Sequence, residues 1–140
     1  PAEAVVTWDL RAQYNKTMDE LCAKFLPAIE GAAASIGATV EVRDSFRIPA
    51  AELHDEATAL LAESISAVLG ESNCVEPIYT PGGEDFFFYT VEKPSLKAGF
   101  FGLGCNLRPG LHHPDMNFDT SALENGVSIW LDLVERLLGE

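Results

Sequence analysis

The first third of the chain carries the pattern that most restricts its fold: a strand, a long amphipathic helix and a second strand, with no further element beside them. Val5 to Trp8 is a short β-branched and aromatic run, readable as a strand. Asp9 stands in the N-cap place ahead of a helical pattern. Met18, Leu21, Cys22, Phe25, Leu26, Ile29, Ala32, Ala33 and Ile36 recur at three- and four-residue spacing, one apolar stripe of a helix ending at Gly37. Pro27 lies off that stripe but inside the helix, where its missing N–H predicts a kink or a break. From Thr39 to Ser45 polar residues alternate with Val40 and Val42, the period of a half-buried strand. Two strands and one helix cannot cover both faces of that helix and sheet. The segment therefore either pairs with a partner chain or lacks strands that belong beside it.

Pro49 breaks the pattern, and a second helix is expected from about Glu52 to Leu69. Its stripe is Leu53, Ala57, Leu60, Leu61, Ile65 and Val68, with Gly70 as the C-cap. Val75 to Tyr79 is a short extended piece stopped by Thr80-Pro-Gly-Gly83. Glu84 to Tyr89 holds three consecutive Phe beside a Tyr and is expected to be buried in any conformation. Residues 98 to 105, Ala-Gly-Phe-Phe-Gly-Leu-Gly-Cys, read as a continuous apolar strand with glycines for close backbone approach. A polar loop runs from Asn106 to Thr120. A last helix is expected to open with a capping box, Ser121-Ala-Leu-Glu124, and to bury Leu123, Val127, Trp130, Leu131, Val134 and Leu138. Strands alternating with helices make this an α/β (α+β) chain.

Composition narrows the work such a chain can do. At 140 residues it suits one ordinary domain, able to bury a core without disulfide or metal support. Nine Lys plus Arg against 22 Asp plus Glu leave a net charge of −13, which argues against a nucleic-acid backbone or an anionic membrane as partner. No stretch approaches the ~20 apolar residues of a membrane span, and nothing resembles a signal peptide, so a cytoplasmic protein is expected. Cys22, Cys74 and Cys105 are odd in number and widely spaced, which suits free thiols better than a disulfide framework. The start at Pro1 suits either loss of an initiator Met or a piece cut from a longer chain.

Two loops after extended segments could carry chemistry: Pro81-Gly-Gly-Glu-Asp-Phe86 and Pro109 to Asp119. In an α/β sheet such loops gather at the carboxyl ends of strands and could face one crevice. Gly82 and Gly83 would leave backbone N–H groups open to an anion ahead of a helix start; a plain glycine turn is the other reading. His112 and His113 are adjacent, so their rings diverge and a single imidazole ligand is the most the pair offers one metal. The alternative is a solvated loop. No HxH, HxxxE, HxDxxP or GxSxG arrangement accompanies them, and His54 on the second helix reads as structural or exposed.

Taken in order, the motifs are more specific than any one of them. Gly82-Gly-Glu-Asp-Phe86 precedes the strand Phe100-Phe-Gly-Leu-Gly104; Leu111-His-His-Pro114, Phe118-Asp119 and the helix around Leu123-Glu-Asn-Gly-Val-Ser-Ile follow. This series resembles the carboxyl-terminal part of the dinuclear-metal amidohydrolase and peptidase family, which holds aminoacylases, acetyl-diaminopimelate deacetylases, indole-acetyl-amino-acid hydrolases and carboxypeptidase-like enzymes. Val5-Val-Thr-Trp-Asp9, the long helix and Val40-Glu-Val-Arg43 are similar to the second half of that family's small lid and dimerisation domain.

The resemblance implies residues 1–48 as part of a ferredoxin-like lid and 49–140 as the C-terminal α/β part of a zinc-peptidase-like catalytic domain, with Phe46 to Ala51 as the hinge. It also implies a reaction. Two divalent metals, zinc or else manganese or cobalt, are bridged by an Asp and a water; a Glu takes the water's proton as it attacks an amide carbonyl. By the same resemblance His112 is a metal ligand, and Gly82 and Gly83 lie along the substrate carboxylate. The general base and the other ligands belong to an earlier segment of the family's sequence. This chain alone is therefore expected to bind zinc weakly and to hydrolyse nothing. The expected substrate is an N-acyl amino acid or small dipeptide-like amide, and the expected assembly a homodimer joined at the open strand edges. A non-catalytic dimerisation or interaction module is the alternative.

Overall fold

The computed structural model describes residues 2–79 and 83–139. Among the described residues four α-helices follow one another: α1 (Asn15–Ala34), α2 (Asp55–Leu69), α3 (Phe88–Glu92) and α4 (Ala122–Leu138), with short 3₁₀ turns at Glu71–Asn73 and Asp85–Phe87. The chain packs as two compact units, one of Pro1–Glu52 with Tyr79–Leu96, the other of Leu53–Ile78 with Lys97–Glu140.

In the first unit α1 runs unbroken through Pro27, so the break expected there is not formed. Of the expected stripe Met18, Leu21, Phe25, Ile29 and Ala33 are half-buried and none is fully buried, while Cys22, Leu26, Ala32 and Ile36 are exposed. The helix ends as the sequence predicts. Gly37 takes a left-handed φ of 72°, and the N–H groups of Gly37 and Ala38 donate to the carbonyls of Ala34 and Ala33. The start differs: the N-cap is Tyr14, without a side-chain cap, while Asp9 accepts from the Arg11 guanidinium five residues upstream of the cap. Asn15 fixes that first turn to the segment that follows the second expected strand. Its Oδ1 accepts from the Ala50 N–H at 3.0 Å and its own N–H donates to Glu52 at 2.7 Å. Arg47 donates to the Asn15 carbonyl at 3.0 Å and pairs with Asp19, and Pro49 is buried. The Phe46–Ala51 stretch is thus fastened to α1 at several points.

The strands expected at Val5–Trp8, Thr39–Ser45 and 98–105 do not form: among the described residues there is no β-strand, only an isolated antiparallel bridge between Arg108 and Asn117. A strand is defined by the neighbour that satisfies its N–H and C=O groups, and no described segment supplies these three with a ladder. Arg43 and Glu3 do pair, which ties the two N-terminal segments through side chains alone.

The second unit has a true core. Leu61 and Ser64 of α2 and Ala122, Gly126, Ile129 and Leu133 of α4 are buried, at three- to four-residue spacing on each helix. The 98–107 segment keeps the side-chain alternation of a strand although it has no ladder. Phe101, Leu103, Cys105 and Leu107 are half-buried, whereas Phe100, Gly102, Gly104 and Asn106 are exposed. Gly99 is required by this packing, because a Cβ there would stand 2.6 Å from Leu61 Cδ1 and 3.1 Å from the Ala57 carbonyl oxygen. The His54 N–H donates to the Ala98 carbonyl at 2.8 Å, joining the start of α2 to the same segment.

α4 forms where expected but buries another face. Leu123, Val127, Trp130, Leu131, Val134 and Leu138 are between 48% and 79% exposed. The small residues Ala122 and Gly126 let neighbours come close, and a Cβ on Gly126 would lie 3.1 Å from Leu103 Cδ2. Close approach favours the small-residue face, and the bulkier one is left outside. The capping box is replaced as well: Ser121 Oγ donates to Asp119 Oδ1 at 2.6 Å, and Ser121 makes no side-chain cap.

Candidate functional site

The loop that carries His112 is closed at its base. The Arg108 N–H donates to the Asn117 carbonyl at 2.9 Å and the Asn117 N–H to the Arg108 carbonyl at 2.8 Å. One step further out, the Asp119 N–H donates to the Cys105 carbonyl at 2.8 Å, anchoring the loop to the alternating segment. Inside, the His113 N–H reaches the Gly110 carbonyl at 3.3 Å and the Met116 N–H reaches the His113 carbonyl at 3.0 Å. His112 sits between these turns at φ 63°, a left-handed conformation that histidine adopts more readily than most residues. Its side chain is exposed, and among the described residues it has no hydrogen-bond or ion-pair partner.

His113 is differently held. Its Nδ1 accepts the Asp115 N–H at 3.1 Å, and an Asp115 carboxylate oxygen lies 3.9 Å away. The rings of the pair therefore have separate surroundings, as adjacency alone suggests. Asp119 closes the far side of the loop. The Ser121 hydroxyl, and then the Ser121 N–H, hold its carboxyl below the usual carboxylate range.

Gly82 lies outside the described residues. Gly83 is described, and it is a tight contact: a Cβ there would stand 3.0 Å from Ile48 Cγ2 and 3.4 Å from the Pro49 carbonyl oxygen. Glu84 then caps the 3₁₀ turn, whose first-turn acid is Asp85, before α3 begins. Of the aromatic run only Phe87 is buried; Phe86, Phe88 and Tyr89 are between 39% and 66% exposed. The expectation of a wholly buried run is corrected, because a helical turn places successive side chains about 100° apart and only one can face inward. Phe86, Phe88, Tyr89 and Leu96, with Asp85, Glu92 and Lys93, line an open groove of about 680 Å³. Gly83 and His112 fall in different compact units.

Among the described residues no three His, Cys, Asp or Glu side chains are gathered closely enough to hold a metal ion. His112 is thus one imidazole without a completed shell, and the described residues do not by themselves fit a bound metal. His54 acts as the N-cap residue of α2 through its backbone. Sequence reasoning missed Arg108 and Asn117, which close the loop, and Asn106 at φ 52°. The Asx-turn signal was present in Asp119, whose side-chain oxygen accepts the Ser121 N–H two residues on, whereas Asn117 Oδ1 accepts the N–H of its neighbour Phe118.

Comparison with known proteins identifies the class. The model of Peptidase family M20/M25/M40 matches residues 4–136, and the chain belongs to that family. This is the amidohydrolase and peptidase family that the ordered motifs resemble, a family of hydrolases that generally bind divalent metals. A protein of Rhodococcus jostii (strain RHA1) that carries the name of glutamate–cysteine ligase 2-3 is 36% identical over 74 residues, covering 51% of this chain and 9% of that protein. No solved structure matches. No helix among the described residues is long and apolar enough to cross a membrane.

Proposed function

We propose that the chain is the C-terminal portion of a metal-dependent amidohydrolase or peptidase that hydrolyses the amide bond of N-acyl amino acids or small dipeptide-like substrates. The observation that carries this reading is the family match along residues 4–136. The closed Arg108–Asn117 loop that presents His112, exposed and without a partner among the described residues, supports it. In this reading residues 1–48 belong to a ferredoxin-like lid and dimerisation domain and 49–140 to the α/β catalytic domain. The Val5–Trp8, Thr39–Arg43 and 98–105 segments become strands once ladder partners from the complete enzyme flank them. The period-two burial of 101–107 is already that of a strand.

A pair of divalent metals, zinc with manganese or cobalt as alternatives, supplies Lewis acidity and an activated water in such enzymes. His112 is the ligand this chain contributes, while the general base and remaining ligands come from an earlier segment of the complete enzyme. Gly82 and Gly83 lie along the substrate carboxylate, where the absence of side chains permits close backbone approach. The complete enzyme is cytoplasmic and homodimeric. The ligase name of the Rhodococcus protein makes amides of glutamate or cysteine the first substrates to try.

A second reading, a non-catalytic dimerisation or interaction module, is favoured by the uncovered apolar face of α4 around Val127, Trp130 and Leu131. The test is a panel of N-acyl amino acids and dipeptides, offered to the complete protein loaded with zinc, manganese or cobalt. Metal-dependent hydrolysis is expected, with none from the 140-residue chain alone. Inertness of the complete protein with every metal and amide would leave only the second reading.

A further inference from the structure

The loop presents two imidazoles, and one hydrogen bond gives them different capacities. The Asp115 N–H donates to Nδ1 of His113 at 3.1 Å. A nitrogen that accepts such a bond carries a lone pair and no proton, so the neutral ring holds its proton on Nε2. Among the described residues Nε2 has no partner, and the side chain is about half exposed, at 47%. To bind a metal through Nε2 the ring would have to move its proton to Nδ1, where it would oppose the Asp115 N–H, donor against donor. His112 carries no such constraint.

We propose that His113 is a hydrogen-bond donor, through Nε2–H, to an acceptor oxygen of the substrate, and is not a second metal ligand. The assignment rests on the hydrolase reading and goes beyond it by naming what the second histidine does. The donor is held firmly for this. Backbone bonds on both sides of His113, to Gly110 and from Met116, fix its main chain, and the Asp115 N–H fixes its ring. An N–H placed beside a ligand imidazole selects substrates that offer oxygen there, either a carboxylate or the carbonyl of the scissile amide.

Two variants separate the nitrogens. Asn accepts from the N–H two residues on, as Nδ1 does, but offers no donor at the Nε2 position; Gln reaches the Nε2 position with an N–H and gives up the turn. In the metal-loaded hydrolase, His113→Asn should lose about tenfold or more in kcat/KM, and His113→Gln should recover most of that loss. Bound metal should be unchanged in both. A rise in KM alone assigns the acceptor as the carboxylate, and a fall in kcat assigns it as the carbonyl oxygen. In the 140-residue chain itself, ¹⁵N spectra at mildly alkaline pH should show His113 protonated on Nε2. An Nδ1-protonated ring, loss of metal in either variant, or any order other than Gln above Asn overturns the proposal. If the parent enzyme hydrolyses no amide, the hydrolase reading fails and the substrate role fails with it; the spectrum then separately decides the tautomer.

Discussion

The helix α1 and the helix pair α2–α4 are similarly amphipathic in sequence, yet only the pair has a core. α1 buries no residue, and its stripe from Met18 to Ala33 stays half-buried. In the other unit two helices and an alternating extended segment close over Leu61, Ile129 and Leu133. The difference shows what a stripe can and cannot specify. It fixes which residues seek cover, and burial follows only where a second element of matching shape is present. α4 meets the 98–107 segment closely because Gly126 leaves room for Leu103, whereas α1 is met by Trp8, edge-on to Phe25 with ring centroids 5.3 Å apart, and by the segment around Pro49.

The most direct way to break this comparison is to cut the same residue type in both regions. Ile129 is 1% exposed, so Ile129→Ala should cost about 2–5 kcal/mol in denaturant unfolding. Gly99→Val should come next. It forces side-chain atoms against Leu61 and the fixed carbonyl of Ala57, at about 1–3 kcal/mol. Ile29→Ala, on the half-buried stripe of α1, should cost about 1 kcal/mol. A loss at Ile29 equal to that at Ile129 would mean that α1 has a core of its own.

The smallest effect expected is a pH dependence. The Arg136 guanidinium, paired with Asp132 one turn away on α4, holds the Asp132 carboxyl below its ordinary range. A carboxyl lowered in the folded state stabilises it above the unfolded pKa, and that contribution is lost as pH falls through the folded pKa. Unfolding followed by Trp130 fluorescence should therefore weaken on acidification below the ordinary Asp range, and Asp132→Asn should reduce that slope. An unchanged slope in the variant would show that the Arg136–Asp132 pair does not support the fold.

What the sequence made legible follows the reach of each interaction. The end of α1 is local: Gly37 supplies the left-handed residue and two adjacent N–H groups do the rest. The extents of α2 and α4 are likewise set by periodicity and glycine stops. Strand formation at Val5–Trp8 or 98–105 depends on a neighbour distant in sequence, and alternation in one segment does not supply it. The inward face of α4 was also unreadable, because both sides of that helix are apolar and only packing against Leu103 favours the Gly126 side. The histidine loop was visible as a polar stretch. Its closure by Arg108 and Asn117 was not, since two backbone pairs leave no mark in side-chain pattern.

The proposed role of His112, as the metal ligand this chain brings to an amide hydrolase, separates it from its neighbour His113. It is tested most directly by measuring bound zinc and amide hydrolysis together in the complete enzyme and in its His112→Ala and His113→Ala variants. His112→Ala is expected to lose one metal and most of the activity, whereas His113→Ala keeps its metal and loses less. Full metal occupancy in His112→Ala, with metal lost from His113→Ala instead, would contradict it.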